Sequence, residues 1–368
     1  MDQVAVALAA GCEDAARRTE ANRTRRAAVL LADGFCLTEF SLVVEALRMA
    51  NTLAGAPRYE VVVTAAQGRP VRSATGVTVE VDRAIDRLGD VDRLIVVGGR
   101  WAAAAIGHRL IAQLRWVGNR GAVVCGLGDG VFLLARAGLL DGETGVVHWL
   151  YRDAFGETFP GIETANELFR IGKSAVTCVG GLATMDLMSA LIASDHDWSL
   201  AIAVLDWLAC EHPRPGTASH EMALQRMLRA THPGLARLVG LMEGNLSEPL
   251  SCEALGRAAQ VSRRQVQRWF RDHFGRGPQE FYRDLRLIRA RNLLLFSALS
   301  VTEVAAATGF CSVTSFGKNF RRKYGHPPSR LRRRVPGRPA DDGAGPGRPQ
   351  LADAFDSHLR EHPATASY

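Results

Sequence analysis

The sequence lacks the features that mark membrane, secreted and zinc-binding proteins. It contains no run of eighteen apolar residues, so no membrane-spanning helix is expected. Its first residues include acidic side chains and no leading basic cluster, which argues against a secretory signal. Its seven cysteines include no CxxC pair, and an odd number without framework spacing favours reduced thiols. We therefore expect a cytoplasmic protein that needs neither a metal nor a cofactor.

Positive charge is concentrated in one segment. The whole chain has a net charge of +7, but residues 250–334 hold 18 Lys and Arg against 5 Asp and Glu, a local charge of +13. The rest of the chain is then mildly acidic, at −6. A basic segment joined to an acidic body predicts a polyanionic partner for the basic part. A solvated surface is the alternative, and the internal repeat described below argues against it.

Residues 25–210 alternate between short apolar runs and amphipathic stretches. The apolar runs are AAVLLA, YEVVVTAA, RLIVVGG, GAVVCGL and SAVTCVG. Continuous apolar strands separated by helices predict an α/β domain, in which a parallel β-sheet is covered by helices on both faces.

The remaining segments differ in composition. Residues 1–24 are expected to form a disordered arm, and residues 335–368, rich in Pro, Gly and Asp, a disordered tail. Residues 211–233 are rich in proline and polar groups and are predicted to be the inter-domain linker. Residues 234–334 show an almost entirely helical pattern, which predicts an all-α second domain.

The basic helical segment contains one motif twice. Val261–Phe281 and Cys311–Leu331 align without a gap, fifty residues apart. The matched pairs are Ser262 and Ser312, Phe270 and Phe320, Arg271 and Arg321, Gly275 and Gly325, and Pro278 and Pro328. The serine is a good N-cap and the glycine a good C-terminal residue for a helix. With a short helix ahead of each copy, the pattern is that of two helix-turn-helix motifs.

Each capped helix has one apolar face and one basic face. Arg can bind guanine through two hydrogen bonds, and Gln can bind adenine. The predicted base-reading residues are Arg264, Gln267 and Arg268 in the first copy and, more weakly, Thr314 and Lys318 in the second. The predicted phosphate contacts are Arg263, Arg271, Arg321, Arg322, Lys323 and the run Arg330–Arg334. A solvated surface remains the alternative for any single arginine.

A long helix is predicted between the copies, beginning at Pro278. About nineteen residues at 1.5 Å each span about 28 Å, which is close to one turn of B-DNA, about 34 Å. Two capped helices at this separation can enter successive major grooves on one face of the duplex.

The same residues resemble the AraC/XylS-type DNA-binding domain. The resemblance covers about one hundred residues, and its most specific part is the GF-x-S-x-x-x-F-x-x-x-F spacing at Gly309–Phe320. It implies a transcription regulator, usually an activator, that binds double-stranded promoter DNA, responds to a small molecule and works with RNA polymerase.

Residues 25–210 resemble PfpI-like domains of flavodoxin-like fold, which are related to class I glutamine amidotransferases. The stretches LLADGFCLTEF, GAVVCGLGDGVFLLARAGLL and VTCVGGLATMDLM carry this resemblance. A strand, a Gly-rich turn and a helix form a nucleophile elbow, and in the family the elbow residue is normally Cys. Here that residue is Gly128, so the resemblance implies a domain without thiol catalysis. The neighbouring Cys125 is expected to point into the core from its strand.

The carboxyl ends of the strands can still form a ligand site. Carried over from the family, Glu39 matches the acidic residue beside the thiol and His148 follows the elbow helix. The candidate ligand-binding residues are Glu39, Trp101, Gly128, Asp129, His148 and Trp149. Carboxylates and an aromatic ring could bind a cationic ligand. Structural roles are the alternative, with Trp149 filling the core and Asp129 capping the next helix.

The combination of both domains resembles the GlxA-like branch of the AraC/XylS family. It looks most like regulators of arginine, carnitine or betaine catabolism, which implies a nitrogenous effector and a homodimer formed through the first domain. Two alternatives stay open. One is a cysteine-type hydrolase or amidotransferase tethered to DNA, and the other is an architectural DNA-binding protein without effector control.

Overall fold

The computed structural model describes residues 23–99, 107–173, 175–219 and 228–332. The chain forms two compact units, Met1–Glu221 and Met222–Tyr368, called here the front unit and the rear unit. The predicted arm and tail, apart from the first unit's Arg23 and Thr24, lie outside the described residues. No helix in the described part of the chain combines the length and the apolar character needed to cross a membrane.

The front unit is built on a seven-stranded sheet. Its strand order is β10-β11-β7-β6-β1-β2-β5. The strands are β1 Arg25–Leu31, β2 Tyr59–Ala65, β3 Val71–Arg72, β4 Thr78–Val79, β5 Arg83–Ala84, β6 Arg93–Val96, β7 Val123–Leu127, β8 Gly145–Val146, β9 Thr164–Ala165, β10 Phe169–Ile171 and β11 Ala175–Cys178. The described helices are α1 Leu37–Ala54, α2 His108–Asn119, α3 Val131–Arg136, α4 Trp149–Thr158, α5 Ala183–Asp195 and α6 Trp198–Trp207.

Continuous burial along the central strands explains this fold. The four residues Ala28–Leu31 are at most 1% exposed, so both faces of β1 are covered. On one face α1, α5 and α6 contribute to the same apolar cluster as the sheet, and on the other α2 contacts β7. The predicted α/β class and parallel sheet are confirmed. The structure adds an antiparallel pairing of β10 with β11 at one edge.

A buried cluster of charged and polar side chains lies at the amino ends of β1, β2 and β6. Asp195, whose side chain is 5% exposed, accepts hydrogen bonds from Arg93 at 2.6 and 3.0 Å and from the Tyr59 hydroxyl at 2.9 Å. Arg25 lies 3.4 Å from the same carboxylate. The cluster therefore links the first residues of β1, β2 and β6 to Asp195, and removing one partner would leave an uncompensated buried charge.

The carboxyl ends of the parallel strands bring four loops to one edge of the sheet. The loop after β1 carries Cys36 and leads into α1 with Glu39. The loop after β6 carries Gly98 and Gly99, and that after β7 carries Gly128 and Asp129. The loop after β11 carries Gly180 and Gly181. Loops that meet at this edge are the usual place for a ligand site in an open α/β sheet.

The rear unit is helical in its described residues. Its helices are α7 Pro233–Glu243, α8 Cys252–Ala259, α9 Arg263–Phe274, α10 Pro278–Phe296, α11 Val301–Ala307, α12 Val313–Tyr324 and α13 Pro328–Arg332. Phe270 and Phe320, the matched aromatic residues of the repeat, are both fully buried. The predicted all-α second domain with two helix-turn-helix motifs is confirmed in its helical content and order.

The two copies begin and end their second helix in the same way. Ser262 and Ser312 accept hydrogen bonds from the backbone N–H groups of Gln265 and Ser315, at 3.2 and 3.1 Å. After each helix the chain turns at a glycine with positive φ, +63° and +75°. Serine caps and left-handed glycines therefore fix both ends of α9 and α12.

The predicted linker, residues 211–233, has described residues at both ends, and residues 220–227 lie outside the described residues. Arg214 donates to Asp186 at 2.6 Å and Leu168 donates to the Gly216 carbonyl at 2.9 Å, so Arg214 and Gly216 pack on the front unit. At the other end Leu228 is 1% exposed in the core of the rear unit. Composition identified the polar segment but not these two contacts, because they depend on residues distant in the sequence.

Gly309 lies in the turn between α11 and α12 and sets the approach of the second helix. Its φ is +69°, and a Cβ there would lie 2.6 Å from the Ser247 carbonyl oxygen. The corresponding turn of the first copy uses Gln260, a non-glycine residue with φ +59°.

We expect Gly309→Ala to lower the free energy of unfolding of the rear unit by ~1–3 kcal/mol, because alanine meets both left-handed strain and a close backbone oxygen. The matched control is Gly240→Ala in α7, where no atom lies within 4 Å of the new Cβ; it should gain ~0.5–1 kcal/mol. Differential scanning calorimetry of the full chain measures both. Equal effects of the two substitutions would contradict the role of Gly309.

Candidate nucleic-acid interface and sheet-edge site

The first capped helix, α9, presents a basic face to solvent. Val266 and Phe270 are fully buried in the core of the rear unit. On the other side of the helix four side chains predicted to meet DNA are exposed, Arg264, Gln267, Arg268 and Arg271. Arg263, the first residue of the helix, is exposed as well. The periodicity of the sequence thus predicted which face would be outward.

The second capped helix, α12, repeats this arrangement with a weaker set of side chains. Phe316 and Phe320 are fully buried. The exposed residues on the opposite side are Thr314, Lys318, Arg321 and Arg322. Arg322 donates to Asn319 at 2.8 Å, so part of its guanidinium is already engaged within the helix. Arg330, at the start of the basic run, is exposed as well, and Arg333 and Arg334 lie outside the described residues.

Two predicted phosphate contacts have partners within the protein. Arg263 lies 2.6 Å from Glu253 of α8, with both side chains largely exposed. Lys323, predicted to contact a phosphate, is mostly buried. Its ammonium lies 3.1 Å from Asp284, and its side chain is 19% exposed. Burial lowers the pKa of Lys323 below its usual range. Its charge is therefore turned inward, towards the long helix, rather than towards solvent.

The long helix α10 has the nineteen residues expected from the sequence. Pro278 occupies its first turn, where the missing N–H is not needed. At 1.5 Å per residue it is about 28 Å long. Phe281 packs on Phe270 and Phe274 of the first copy, with ring centroids 5.2 and 4.5 Å apart. Arg286 donates to the Thr308 carbonyl of the second copy at 2.6 Å.

The elbow after β7 has a left-handed backbone at Gly128, where no nucleophilic side chain is present. Gly128 has φ +56°, and a Cβ built on it would lie 3.0 Å from Glu39 Oε1. A side chain at this position would therefore point at the carboxylate, as the family resemblance implies for the thiol. Asp129 does not cap the following helix, whose N-cap is Gly130; its Oδ1 accepts instead from the Gly99 N–H at 2.5 Å.

Two buried carboxyl groups lie beside this elbow. Glu39 accepts from the N–H groups of Gly98 and Gly181, at 3.0 and 2.9 Å. A Cβ on Gly98 would lie 2.8 Å from Glu39 and 3.1 Å from Asp129, so the two carboxyls flank this glycine. Burial raises the pKa of Glu39, and it raises that of Asp129 well above its usual range. The pair therefore binds protons more readily than free carboxylates do.

Cys36 belongs to the same site, and the sequence reasoning missed it. Its backbone N–H donates to the Gly98 carbonyl at 2.7 Å. Burial raises the pKa of its thiol, and the nearby Glu39 and Asp129 raise it further. Cys125, fully buried in β7 as expected, has its pKa raised to about 12 by burial, and burial also raises that of Cys178. None of these three thiols is activated, because a reactive thiol needs a lowered pKa.

Of the other candidate ligand residues, His148 and Trp149 lie at the start of α4, and Trp101 has no described position. His148 is the N-cap of α4, and its Nδ1 accepts from the Leu150 N–H at 3.2 Å. The rings of His148 and the half-buried Trp149 have centroids 5.4 Å apart. Trp101 lies outside the described residues. The structure thus brings together Glu39, Gly128 and Asp129. Among the described residues, no group of three or more His, Cys, Asp or Glu side chains could hold a metal ion.

Both halves of the chain match known family models. The model of the DJ-1/PfpI family matches residues 25–194. The model of a helix-turn-helix domain matches residues 255–334. These spans contain, respectively, the sheet-edge site and the two capped helices.

Curated relatives match over most of the chain. It is 36% identical over 299 residues to the HTH-type transcriptional regulator GbdR of Pseudomonas aeruginosa, covering 81% of this chain and 82% of that protein. It is 35% identical over 325 residues to the HTH-type transcriptional regulator GlxA of Rhizobium meliloti, covering 87% and 99%. The chain therefore belongs to the AraC-type helix-turn-helix transcriptional regulators that carry a DJ-1/PfpI domain, the GlxA-like group.

Proposed function

We propose that the protein is a sequence-specific transcriptional activator, in which the rear unit binds promoter DNA and the front unit senses a small cationic molecule. The observation that carries the DNA-binding part is the pair of Ser-capped helices with exposed basic faces, joined by one nineteen-residue helix. Because bacterial promoters are in the cytoplasm, we propose that the protein acts there. We also propose that it is a homodimer and works with RNA polymerase. The names of its relatives support regulation of transcription, and the activator role and the dimer are part of the proposal.

The exposed side chains of α9 are suited to reading bases. Arg264 and Arg268 can each donate two hydrogen bonds to guanine, and Gln267 can pair with adenine. In α12 only Thr314 and Lys318 offer comparable groups, so the first motif carries most of the sequence preference. Arg271, Arg321 and Arg322 are exposed near the helix ends and are assigned to phosphates, which position the helices without reading sequence. Lys323 is omitted from the interface because its ammonium is bound to Asp284.

The sheet-edge site is suited to a ligand with a positive charge. Glu39 and Asp129 are buried, and a missing side chain at Gly128 leaves the elbow without a reactive group. Burial disfavours their ionised form, and a bound cation would favour it. A quaternary or primary amine, from an amino acid or a betaine, is the class of effector that we infer.

Hydrolysis catalysed by a cysteine thiol is the second candidate function, because the backbone at Gly128 has the geometry of a nucleophile elbow. The chemistry requires a thiolate beside a base. The described cysteines nearest this edge, Cys36, Cys125 and Cys178, all have raised pKa values. We therefore propose that the front unit binds and does not catalyse.

Arg268→Ala should weaken binding to a selected promoter duplex by ~1–3 kcal/mol, because one bidentate base contact is lost. Binding to random duplex should change much less. The charge-matched control is Arg87→Ala, which removes an exposed arginine of the front unit. Fluorescence anisotropy at several salt concentrations measures both. Equal losses on selected and random DNA would place Arg268 on a phosphate.

A cationic effector should raise the thermal midpoint of the full chain. At a ligand concentration of about 100 times Kd, the stabilisation is ~2.7 kcal/mol, or about 5–11 °C for a domain of this size. Since both carboxyl pKa values are raised, less carboxylate is available as pH falls, so the shift in thermal midpoint should grow as the pH is raised.

The probes are choline, glycine betaine and arginine, with 3,3-dimethylbutanol as the neutral isostere of choline. Asp129→Asn should remove most of the shift, whereas Asp141→Asn, an exposed carboxylate of the same unit, should leave it intact. A shift that survives in Asp129→Asn would contradict the assigned site. No shift with any cation would favour a DNA-binding protein without effector control.

Iodoacetamide distinguishes a sensor from a thiol enzyme. In the native protein at neutral pH, Cys125 and Cys178 should stay unlabelled and Cys36 should label more slowly than in the guanidinium-unfolded chain, because its pKa is raised. Peptide mass spectrometry locates the label. If Cys36 or Cys125 were labelled faster in the native protein than in the unfolded chain, the result would support the enzyme hypothesis.

A further inference from the structure

One carboxylate of the long helix contacts both helix-turn-helix motifs. Asp284 lies in the second turn of α10 and is 22% exposed. Its Oδ2 accepts from Arg276 Nη1 at 2.7 Å and lies 3.1 Å from the ammonium of Lys323. Arg276 follows the glycine that ends α9, and Lys323 lies in the last turn of α12. The same oxygen therefore joins the carboxyl-terminal ends of the two DNA-binding helices.

The three charges are partly removed from water. The side chains of Arg276 and Lys323 are 25% and 19% exposed. Arg276 also lies over the ring of Phe281, 5.2 Å from its centroid. Pairs in such surroundings are screened less than surface pairs, and loss of the shared anion would leave two half-buried cations facing each other.

This triad is not a product of the internal repeat. Fifty residues beyond Arg276 stands His326, and fifty before Lys323 stands His273. Each motif has a contact with α10 that does not involve Asp284. Phe281 packs on Phe270 of the first motif, and the Arg286 guanidinium lies 4.1 Å from the centroid of the Phe310 ring of the second. We therefore expect each motif to fold without Asp284. The contacts of Asp284 instead affect the orientation of one motif relative to the other.

We propose that Asp284 is a positioning residue that fixes the orientation of α9 relative to α12, so that both enter DNA at one defined spacing. The inference rests on the proposed DNA-binding function. When two binding modules are held rigidly, engagement of the first presents the second at a high effective concentration. Loss of the Asp284 contacts would let the two motifs move relative to each other. That movement lowers the effective concentration without altering either surface that meets DNA.

The test compares DNA that engages both motifs with DNA that engages one. The probes are a duplex that the wild-type full chain selects from random DNA and derivatives with either half of that site scrambled. Asp284→Asn should weaken binding to the intact site at least about fivefold, which is the lower range of a typical coupling. On each half-scrambled duplex its affinity should stay within about twofold of wild type, the usual scatter for uncoupled sites.

The matched control is Glu280→Gln, which removes one exposed carboxylate from the same helix and makes the same change in net charge. It should stay within about twofold of wild type on every duplex. Asp284→Glu keeps the carboxylate and should recover most of the binding to the intact site. Inserting two base pairs between the halves should penalise wild type more than Asp284→Asn, because only the wild-type joint is rigid.

Equal losses of Asp284→Asn on intact and half-scrambled sites would overturn the inference, since damage to the fold or loss of a direct contact weakens all three. An unchanged affinity for the intact site would overturn it as well. Lys323→Gln should repeat the Asp284→Asn pattern; a salt slope reduced by about one on the half site of α12 would instead return Lys323 to the phosphate contacts. Failure of the wild type to select any duplex would overturn the proposed function itself.

Discussion

The distance between successive major grooves is the constraint on which the rear unit depends. Two reading helices must lie about one helical turn of DNA apart to meet the same face of the duplex. A nineteen-residue helix joins the two motifs, and its backbone hydrogen bonds fix its length. Length alone does not fix rotation about the axis, however. The contacts of Phe281, Asp284 and Arg286 with the two motifs supply that second part of the geometry.

The division of charge in the rear unit follows from this arrangement. Six arginines are exposed on the two capped helices, where they repel one another and favour a polyanion. Lys323 and Arg276 are exceptions, since their charges are used inside the unit against Asp284. A basic residue in a DNA-binding domain is therefore not by itself evidence of a DNA contact, and its burial and partners decide which role it has.

The front unit has the backbone of a nucleophile elbow without a side chain at the elbow residue, Gly128. Left-handed backbone at Gly128 and the carboxylate of Glu39 remain in place, although no thiol lies between them. Burial of Glu39 and Asp129 disfavours their ionised forms and so works against stability at neutral pH. A cation that restores the ionised forms would recover that free energy as binding, which is why a sensor of amines is the role that we propose.

Local sequence patterns determined many of the secondary-structure elements of this protein and which helix faces are buried. The repeat, the serine caps, the buried face of each DNA-binding helix and five central strands follow from periodicities and end signals within a few residues, which sequence alone displays. Contacts between residues distant in the chain were decided only by the tertiary structure. Examples are Lys323 with Asp284, Cys36 beside Asp129, and Asp129 with Gly99 instead of the next helix. Such pairs depend on packing, and no local pattern encodes which distant partner a side chain will meet.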